Sequence, residues 1–290
     1  MERAVSEKRM PISEHLRELR ARVILSLVAV VLGMIIAYVF CPDVVYPMLR
    51  APLDALQGRA ADNPFVLHTP LLDALAEQQR GRTPGGDGGS ADSVQLHYLS
   101  LVDPLIVRLK VSLVAGFILA LPVVVYEVWA FVAAGLYAHE RRYVLVFGPA
   151  SLVLFLVGAA LAYFVVLPVG VVVLINQGHL FDLKPLLMLK EYAPFVMWLM
   201  FGFGVIFQMP LVVVFLTRIG VVGPAGLARS RRYAILLIVI VAACLTPPDV
   251  FTQIAMAVPM MGLYELSILL SRLVSRKHDE PTFPAPGARE

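Results

Sequence analysis

Long apolar stretches that are almost free of charge are the feature that most constrains this chain. A membrane-spanning helix needs about 20 apolar residues. Hydrophobic residues make up 59% of the sequence and charged residues 16%, against about 45–50% and about 25% in a soluble domain. The sequence therefore predicts an all-α integral membrane protein and excludes a disordered chain or a soluble nucleic-acid binder. Six transmembrane helices are expected, at Val23–Phe40, Val111–Leu136, Tyr143–Ile175, Pro194–Thr217, Tyr233–Thr246 and Val250–Leu270.

The third and fifth spans have unusual lengths. The third is longer than a bilayer requires, and Pro149 and Pro168 are expected to bend it or mark its ends. The fifth covers fourteen residues, which reach roughly 21 Å against a hydrocarbon core of about 30 Å. Only residues 247–249 separate it from the sixth span, so the two are predicted to form a short hairpin that thins the bilayer or packs against partner helices.

Basic residues predict the orientation of the spans. Sixteen of the 24 Lys and Arg residues lie in segments 1–22, 137–142, 218–232 and 271–290. Because cytoplasmic loops are enriched in basic residues, both termini are predicted to be cytoplasmic (N-in/C-in).

This orientation divides the chain into a cytoplasmic amphipathic segment, a membrane domain and a tail. The segment 1–22 places Ile12, Leu16 and Leu19 on one helical face. The transmembrane domain covers 23–271, and the tail 272–290 is expected to be disordered. The outer loops are 41–106, 176–193 and 247–249; the first begins amphipathically and becomes Gly-rich at 81–90, and the second is expected to hold a short helix.

No residue pattern predicts catalysis, a cofactor or a metal site. The sequence has no phosphate-binding loop, no pair of His or Cys residues at metal-ligand spacing and no recognisable Ser-His-Asp arrangement. Cys41 and Cys244 both lie near outer helix ends and could approach each other, but two small apolar fillers are favoured over a disulfide. The chain is therefore predicted not to be an enzyme.

Polar residues inside the predicted spans are functional candidates, because charge in a membrane interior is costly. Glu127 is either a paired interfacial glutamate or a functional one, and the adjacent Trp129 would suit an interface belt. Gln208 either bonds between helices or contacts a ligand. Glu265 needs a partner or a wet cleft. Asp249 follows two prolines, where capping the sixth helix is a sufficient explanation.

Two carboxylates on the basic inner face could receive a cationic partner. Glu18 and Arg22 are four residues apart, so an ordinary helix ion pair accounts for that glutamate. Glu140 lies in a very short predicted turn and is held close to the membrane surface. Arginine-to-carboxylate hydrogen bonds, each worth ~1.5–3 kcal/mol, would make such a site selective for guanidinium groups.

Several ordered motifs resemble the TatC family, the multispanning receptor of the twin-arginine protein export pathway. The resemblance extends from about residue 11 to residue 272. Its motifs are His15–Arg20, Ala51–Leu53, Tyr126–Phe131, Gly135–Arg142, Phe203–Pro210 and Leu245–Gln253. The family has six spans with both ends inside, in a concave, glove-like bundle with short fifth and sixth helices, and no catalytic centre.

The resemblance also implies residue roles and partners. Glu18, Arg20, Phe131 and Glu140 match positions that concern the binding of signal peptides with paired arginines, and Pro52 matches a position of interest on the outer side. The family's polar residue facing the intramembrane hollow, often glutamate, is here Gln208, which cannot carry charge. Single-span partners, TatA- and TatB-like, are expected to dock at the fifth and sixth helices, near Thr246, Asp249 and Gln253. Several copies are expected in one complex.

These observations favour a receptor in a bacterial or archaeal cytoplasmic membrane that binds signal peptides of folded precursors and nucleates the export complex. The alternative is an ion-coupled small-molecule carrier that uses Glu127, Glu265 and Asp249 as relay groups. The absence of an internal repeat counts against that carrier.

Overall fold

The structure, a computed structural model, describes residues 12–40, 42–56, 96–135, 141–179, 186–245 and 250–276, and most of them are helical. The helices are α1 (Ile12–Phe40), α2 (Pro42–Leu56), α3 (Asp103–Ala134), α4 (Arg141–Leu161), α5 (Leu167–His179), α6 (Leu189–Ile206), α7 (Met209–Arg218), α8 (Pro224–Arg229), α9 (Arg231–Leu245) and α10 (Val250–Arg276). A π-helical turn, Ala162–Val166, joins α4 to α5. Two short strands, β1 (Leu96–His97) and β2 (Leu187–Met188), pair in parallel.

Among the described residues, five helical stretches are long and apolar enough to cross a membrane. They are Glu14–Phe40, Asp103–Ala134, Val144–Ile175, Leu189–Arg218 and Met256–Ser275. The predicted fifth span corresponds to α9, whose 15 residues are too few to meet the same length requirement. The all-helical membrane class is therefore confirmed, whereas the count of six spans and the N-in/C-in orientation stay predictions.

Helix α6 is the centre of the packed core. It contacts α3, α4 and α9, and its Ala193, Leu199 and Phe203 are almost completely buried. Glycines permit the close approach on either side, because a Cβ at Gly158 of α4 would overlap Phe203 and Phe207, and one at Gly204 would overlap the Phe155 ring. Helix α10 packs mainly on α7, where the Ser271 and Thr217 hydroxyls are 2.9 Å apart.

Three helices extend beyond the boundaries that hydropathy predicted. Helix α3 begins at Asp103 inside the predicted loop 41–106, α6 begins at Leu189 inside the predicted loop 176–193, and α10 continues to Arg276 inside the predicted tail. Backbone hydrogen bonding carries a helix through polar residues until a cap or breaker ends it, whereas hydropathy detects only the apolar part. At α3 the Asp103 carboxylate accepts hydrogen bonds from the backbone N–H groups of Leu99 (3.3 Å) and Ser100 (3.0 Å).

Prolines interrupt two of the predicted spans. The N–H of Leu167 bonds the carbonyl of Ala162 in the π turn immediately before Pro168, which has no N–H to continue the α-helical ladder. Pro149, by contrast, lies inside an unbroken α4. The fourth predicted span, Pro194–Thr217, is not one continuous helix, since α6 ends at Ile206 and α7 starts at Met209, next to Pro210.

The outer segment that follows α1 is partly folded against the membrane helices. Helix α2 packs on α5 and α3, with Leu49 and Leu53 in the core and Pro52 buried. The Tyr163 hydroxyl donates a hydrogen bond to the Met48 carbonyl. The amphipathic start predicted for the outer loop is therefore a helix, whereas its Gly-rich part at 81–90 lies outside the described residues.

Candidate functional site

Close packing of α1 against α3 positions the candidate site. The two helices cross at Gly33 and Gly116, where a Cβ on Gly33 would overlap the backbone of Gly116 and a Cβ on Gly116 would overlap the backbone of Met34. Only a pair of glycines allows backbones to approach this closely. The crossing brings the N-terminal part of α1 alongside the C-terminal part of α3, where charged residues of both helices meet.

Arg22 of α1 bridges two carboxylates, and we call Glu18, Arg22 and Glu127 the arginine triad. Arg22 Nη2 is 2.6 Å and its Nε 3.1 Å from Glu18 Oε1, one helical turn away. On the other side, Arg22 Nη1 donates to Glu127 Oε2 of α3 at 3.0 Å. One guanidinium therefore serves two carboxylates from different helices.

The two carboxylates of the arginine triad differ in exposure. The Glu18 and Arg22 side chains are each 25% exposed, whereas the Glu127 side chain is 8% exposed. A buried carboxylate is stable only when it is paired and hydrogen-bonded, and Arg22 supplies that pairing. Two carboxylates against one guanidinium leave the triad with a surplus of negative charge, open toward solvent on the Glu18 side.

Aromatic rings adjoin the arginine triad. The His15 ring stacks on Phe131, with centroids 4.4 Å apart and planes at 20°, so the two helices meet again beyond the ion pairs. Arg20 lies on the same helix and is exposed. Glu140, the second carboxylate predicted to receive a guanidinium, lies outside the described residues.

The sequence predicted the Glu18–Arg22 pair but not the Arg22–Glu127 pair. A spacing of four residues on one helix is visible in sequence, whereas residues 22 and 127 meet only through the packing of α1 on α3. A usable signal was present, since Arg22 is the last charge before the first predicted span and Glu127 is the only charge in the second. With the predicted orientation, both lie toward the cytoplasmic ends of their spans, where an ion pair would balance the two charges.

The other polar residues predicted inside the membrane have protein partners as well. Gln208 accepts from the Ser151 hydroxyl at 2.6 Å and donates to the Ser151 carbonyl at 3.0 Å, which links the α6–α7 break to α4. Glu265 pairs with Arg231 at 2.7 Å across the α9–α10 hairpin. Gln253 donates to the Val239 carbonyl at 3.2 Å.

The structure also bears on the expectations for Trp129 and Cys244. Trp129 does not join an interface belt, because it is buried between Phe147 and Phe215. Thr246, Asp249 and Cys41 lie outside the described residues, and Cys244 is an exposed free thiol. The described residues contain no group of three or more His, Cys, Asp or Glu side chains that could hold a metal ion.

Fold and site together define a multispanning α-helical membrane protein with an ion-pair site at the packed N-terminal helix. The family profile described as Sec-independent protein translocase protein (TatC) matches residues 14–259. The chain belongs to the TatC family.

Relatives match over most of their length. The Sec-independent protein translocase protein TatC of Aquifex aeolicus is 36% identical over 93% of this chain and 98% of its own. The Sec-independent protein translocase protein TatC of Desulforapulum autotrophicum is 37% identical over 94% of this chain and 88% of its own. A crystal structure of the twin arginine translocase receptor TatC superposes with a TM-score of 0.72 and 35% identity, covering 90% of this chain and all of that chain.

Membership in this family establishes the class of function. The chain is a multi-pass subunit of a protein translocase in the cytoplasmic membrane, acts in a complex with other subunits, and is not an enzyme. The carrier alternative has no support: Glu127 and Glu265 belong to separate ion pairs with Arg22 and Arg231.

Proposed function

We propose that this chain is the receptor for paired-arginine signal peptides of folded precursor proteins and nucleates assembly of the export complex. One observation carries the proposal: Glu18 already binds a guanidinium, that of Arg22, at a position that is one quarter exposed. A carboxylate with this geometry can accept an arginine side chain from a peptide that approaches from the cytoplasm. The predicted cytoplasmic placement of α1's first turns is part of this proposal.

The surroundings of Glu18 suit an arginine rather than a generic cation. A guanidinium presents planar N–H donors that pair with carboxylate oxygens, whereas an ammonium acts as a point charge. Phe131, held against His15, offers an aromatic face on which a guanidinium can stack. Glu140 is proposed as the second carboxylate, one for each arginine of the pair, with Arg20 contributing to the same face.

The α9–α10 hairpin is the proposed docking edge for TatA- and TatB-like single-span subunits. Helix α9 is 15 residues long, and it exposes Ile235, Leu236, Leu237 and Ile240. A partner helix packed there would cover these side chains and span the thickness that α9 does not. Thr246, Asp249 and Gln253 are proposed to contribute polar contacts at the outer end of the hairpin, and Pro52 to shape the outer face.

Several copies of the chain are proposed to share one complex, in which the proton-motive force drives transport.

Site-directed crosslinking tests the signal-peptide site. A synthetic peptide carrying paired arginines and a photoreactive residue should crosslink to segments around Glu18 and Glu140 in the purified chain. The double variant Glu18→Lys, Glu140→Lys should lose at least about 90% of the crosslink, because two attractive contacts of ~1.5–3 kcal/mol become repulsive. Glu14→Lys is the matched control, since Glu14 lies on the same helix but is exposed and pairs only loosely with Arg17, at 3.8 Å.

Two results would contradict the proposal. Equal crosslinking of the double variant and the unmodified chain would show that Glu18 and Glu140 do not form the signal-peptide site. Equal crosslinking of a peptide whose two arginines are replaced by glutamine would show that the chain does not recognise the arginine pair.

A further inference from the structure

We propose that Arg22 is an internal competitor for the site that receives the signal-peptide arginine, and that Glu127 holds Arg22 when the peptide displaces it from Glu18. This inference rests on the proposed receptor function and adds two residues to it. Arg22 would act as a resident guanidinium, and Glu127 as a positioning residue that does not contact the peptide itself.

The first step is that the guanidinium site on Glu18 is occupied within the chain. Arg22 directs both Nε and Nη2 to the same oxygen, Glu18 Oε1. A peptide arginine that binds both oxygens of this carboxylate must therefore displace the Arg22 contacts. Any binding energy that the peptide gains at Glu18 is reduced by the cost of breaking them.

The second step is that Arg22 has another carboxylate to hold it. Its Nη1 already donates to Glu127 Oε2 at 3.0 Å, so release from Glu18 leaves the guanidinium paired. The Glu127 side chain is 8% exposed and the Glu18 side chain 25%. Solvent screens the Glu18 contact more strongly, so this is the contact that exchanges, while the buried pair persists.

The third step concerns the charge of the arginine triad. Its surplus of negative charge allows a second guanidinium to enter without leaving a cation unpaired. If Glu127 were neutral, Arg22 and Glu18 would balance each other, and an incoming arginine would bring surplus positive charge. Glu127 therefore makes the exchange possible although it is too buried to meet the peptide.

Peptide affinity in three variants of the full-length chain tests the exchange. The probe is a fluorescent synthetic peptide with paired arginines, titrated into purified protein in detergent micelles. Glu127→Gln should weaken binding by about tenfold, which corresponds to about 1.4 kcal/mol, because Arg22 then has Glu18 alone. The double variant Arg22→Gln, Glu127→Gln should bind more tightly than the unmodified chain, by about two- to fivefold. It keeps Glu18, removes the competitor and leaves no buried carboxylate unpaired.

Exposed residues of the same helix provide matched controls. Glu14→Gln changes the net charge as Glu127→Gln does, and Glu14→Gln, Arg17→Gln matches the double variant. Both should leave the affinity within about twofold, because solvent and salt screen these exposed charges. A purely structural role for the arginine triad would make the double variant bind more weakly, which is opposite to the gain expected from exchange.

The outcomes separate this inference from the function on which it rests. If the unmodified chain prefers paired arginines to paired glutamines but the double variant binds no more tightly, the exchange is wrong and the receptor function stands. If the unmodified chain shows no preference for paired arginines, the receptor function itself fails. An unchanged affinity in Glu127→Gln would also overturn the positioning role of Glu127.

Discussion

At the scale of single residues, partners decide what the polar groups in the apolar region can do. Glu127 is stabilised by Arg22 from another helix, and Glu265 pairs with Arg231. Gln208 is held by Ser151 through two hydrogen bonds in opposite directions. An amide is suited to this arrangement because it donates and accepts at once, whereas an ionised carboxylate only accepts. Gln208 therefore has a structural explanation that requires no charge.

Replacing Gln208 by leucine should lower the stability of the protein in detergent by about 1–2 kcal/mol, since membrane hydrogen bonds average about 0.6 kcal/mol each. The variant loses two bonds to Ser151 and a longer one, at 3.5 Å, to the Gly204 carbonyl. The Ser151 hydroxyl and carbonyl would lose these partners at the break between α6 and α7. Unfolding by SDS in mixed micelles measures the change. Gln253→Leu is the matched control, because that exposed amide makes one hydrogen bond, to the Val239 carbonyl, and it should cost less. Equal effects of the two variants would contradict the structural role assigned to Gln208.

At the scale of helices, close contacts at small residues set the geometry of the site. Helix α1 packs along α3 although most of its apolar side chains, such as Leu27 and Leu32, are exposed to the surroundings. The Gly33–Gly116 crossing lets the two backbones touch, and this contact brings Arg22 within reach of Glu127. The ion-pair site therefore depends on two glycines, although these have no side chains and lie about one third of a helix length away from it.

Gly33→Ala should destabilise the protein by about 1–3 kcal/mol, the usual cost of overpacking, because the added methyl group would meet the Gly116 backbone rather than a movable side chain. Gly262→Ala in α10 is the matched control. A Cβ there meets no other atom within 4 Å, so alanine's higher helix propensity should leave stability unchanged or raise it by up to about 1 kcal/mol. SDS unfolding of both variants measures the difference. A tolerated Gly33→Ala would show that the helices do not cross this closely.

At the scale of the whole molecule, helix length bears on how the protein fits the membrane. Within the part of the chain that the structure describes, five stretches are long enough to cross a bilayer, whereas α9, at about 1.5 Å per residue, reaches only roughly three quarters of the hydrocarbon core. If α9 is the fifth span, as the sequence predicts, the bilayer is expected to thin or another subunit to dock on the side of the molecule that carries it. The proposed receptor site and the proposed docking edge lie on different helices, so one chain can bind both kinds of partner.

Cysteine labelling tests the predicted orientation. In a background with Cys41→Ala and Cys244→Ala, a cysteine at Leu101, which is 91% exposed before α3, should react with a membrane-impermeant maleimide in intact spheroplasts. A cysteine at Arg17, whose side chain is 82% exposed, should react only after the membrane is permeabilised, because basic segments stay in the cytoplasm. The cysteine-free background is the control for nonspecific labelling. Labelling of the Arg17 position in intact spheroplasts would show that the orientation is opposite to the predicted one.

Hydropathy and motifs were enough to predict the membrane class, most of the long helices and the family, because each of these depends on local composition or on short strings of residues. Helix boundaries at Asp103, Leu189 and Arg276 were not predictable in the same way, since backbone hydrogen bonding continues where hydropathy falls. The breaks beside Pro168 and Pro210 had a visible cause in the sequence, but the sequence did not show that Pro149 would lie inside an unbroken helix. The pairing of Arg22 with Glu127 came only from the tertiary structure, because a contact between distant residues depends on which helices meet and at which turn.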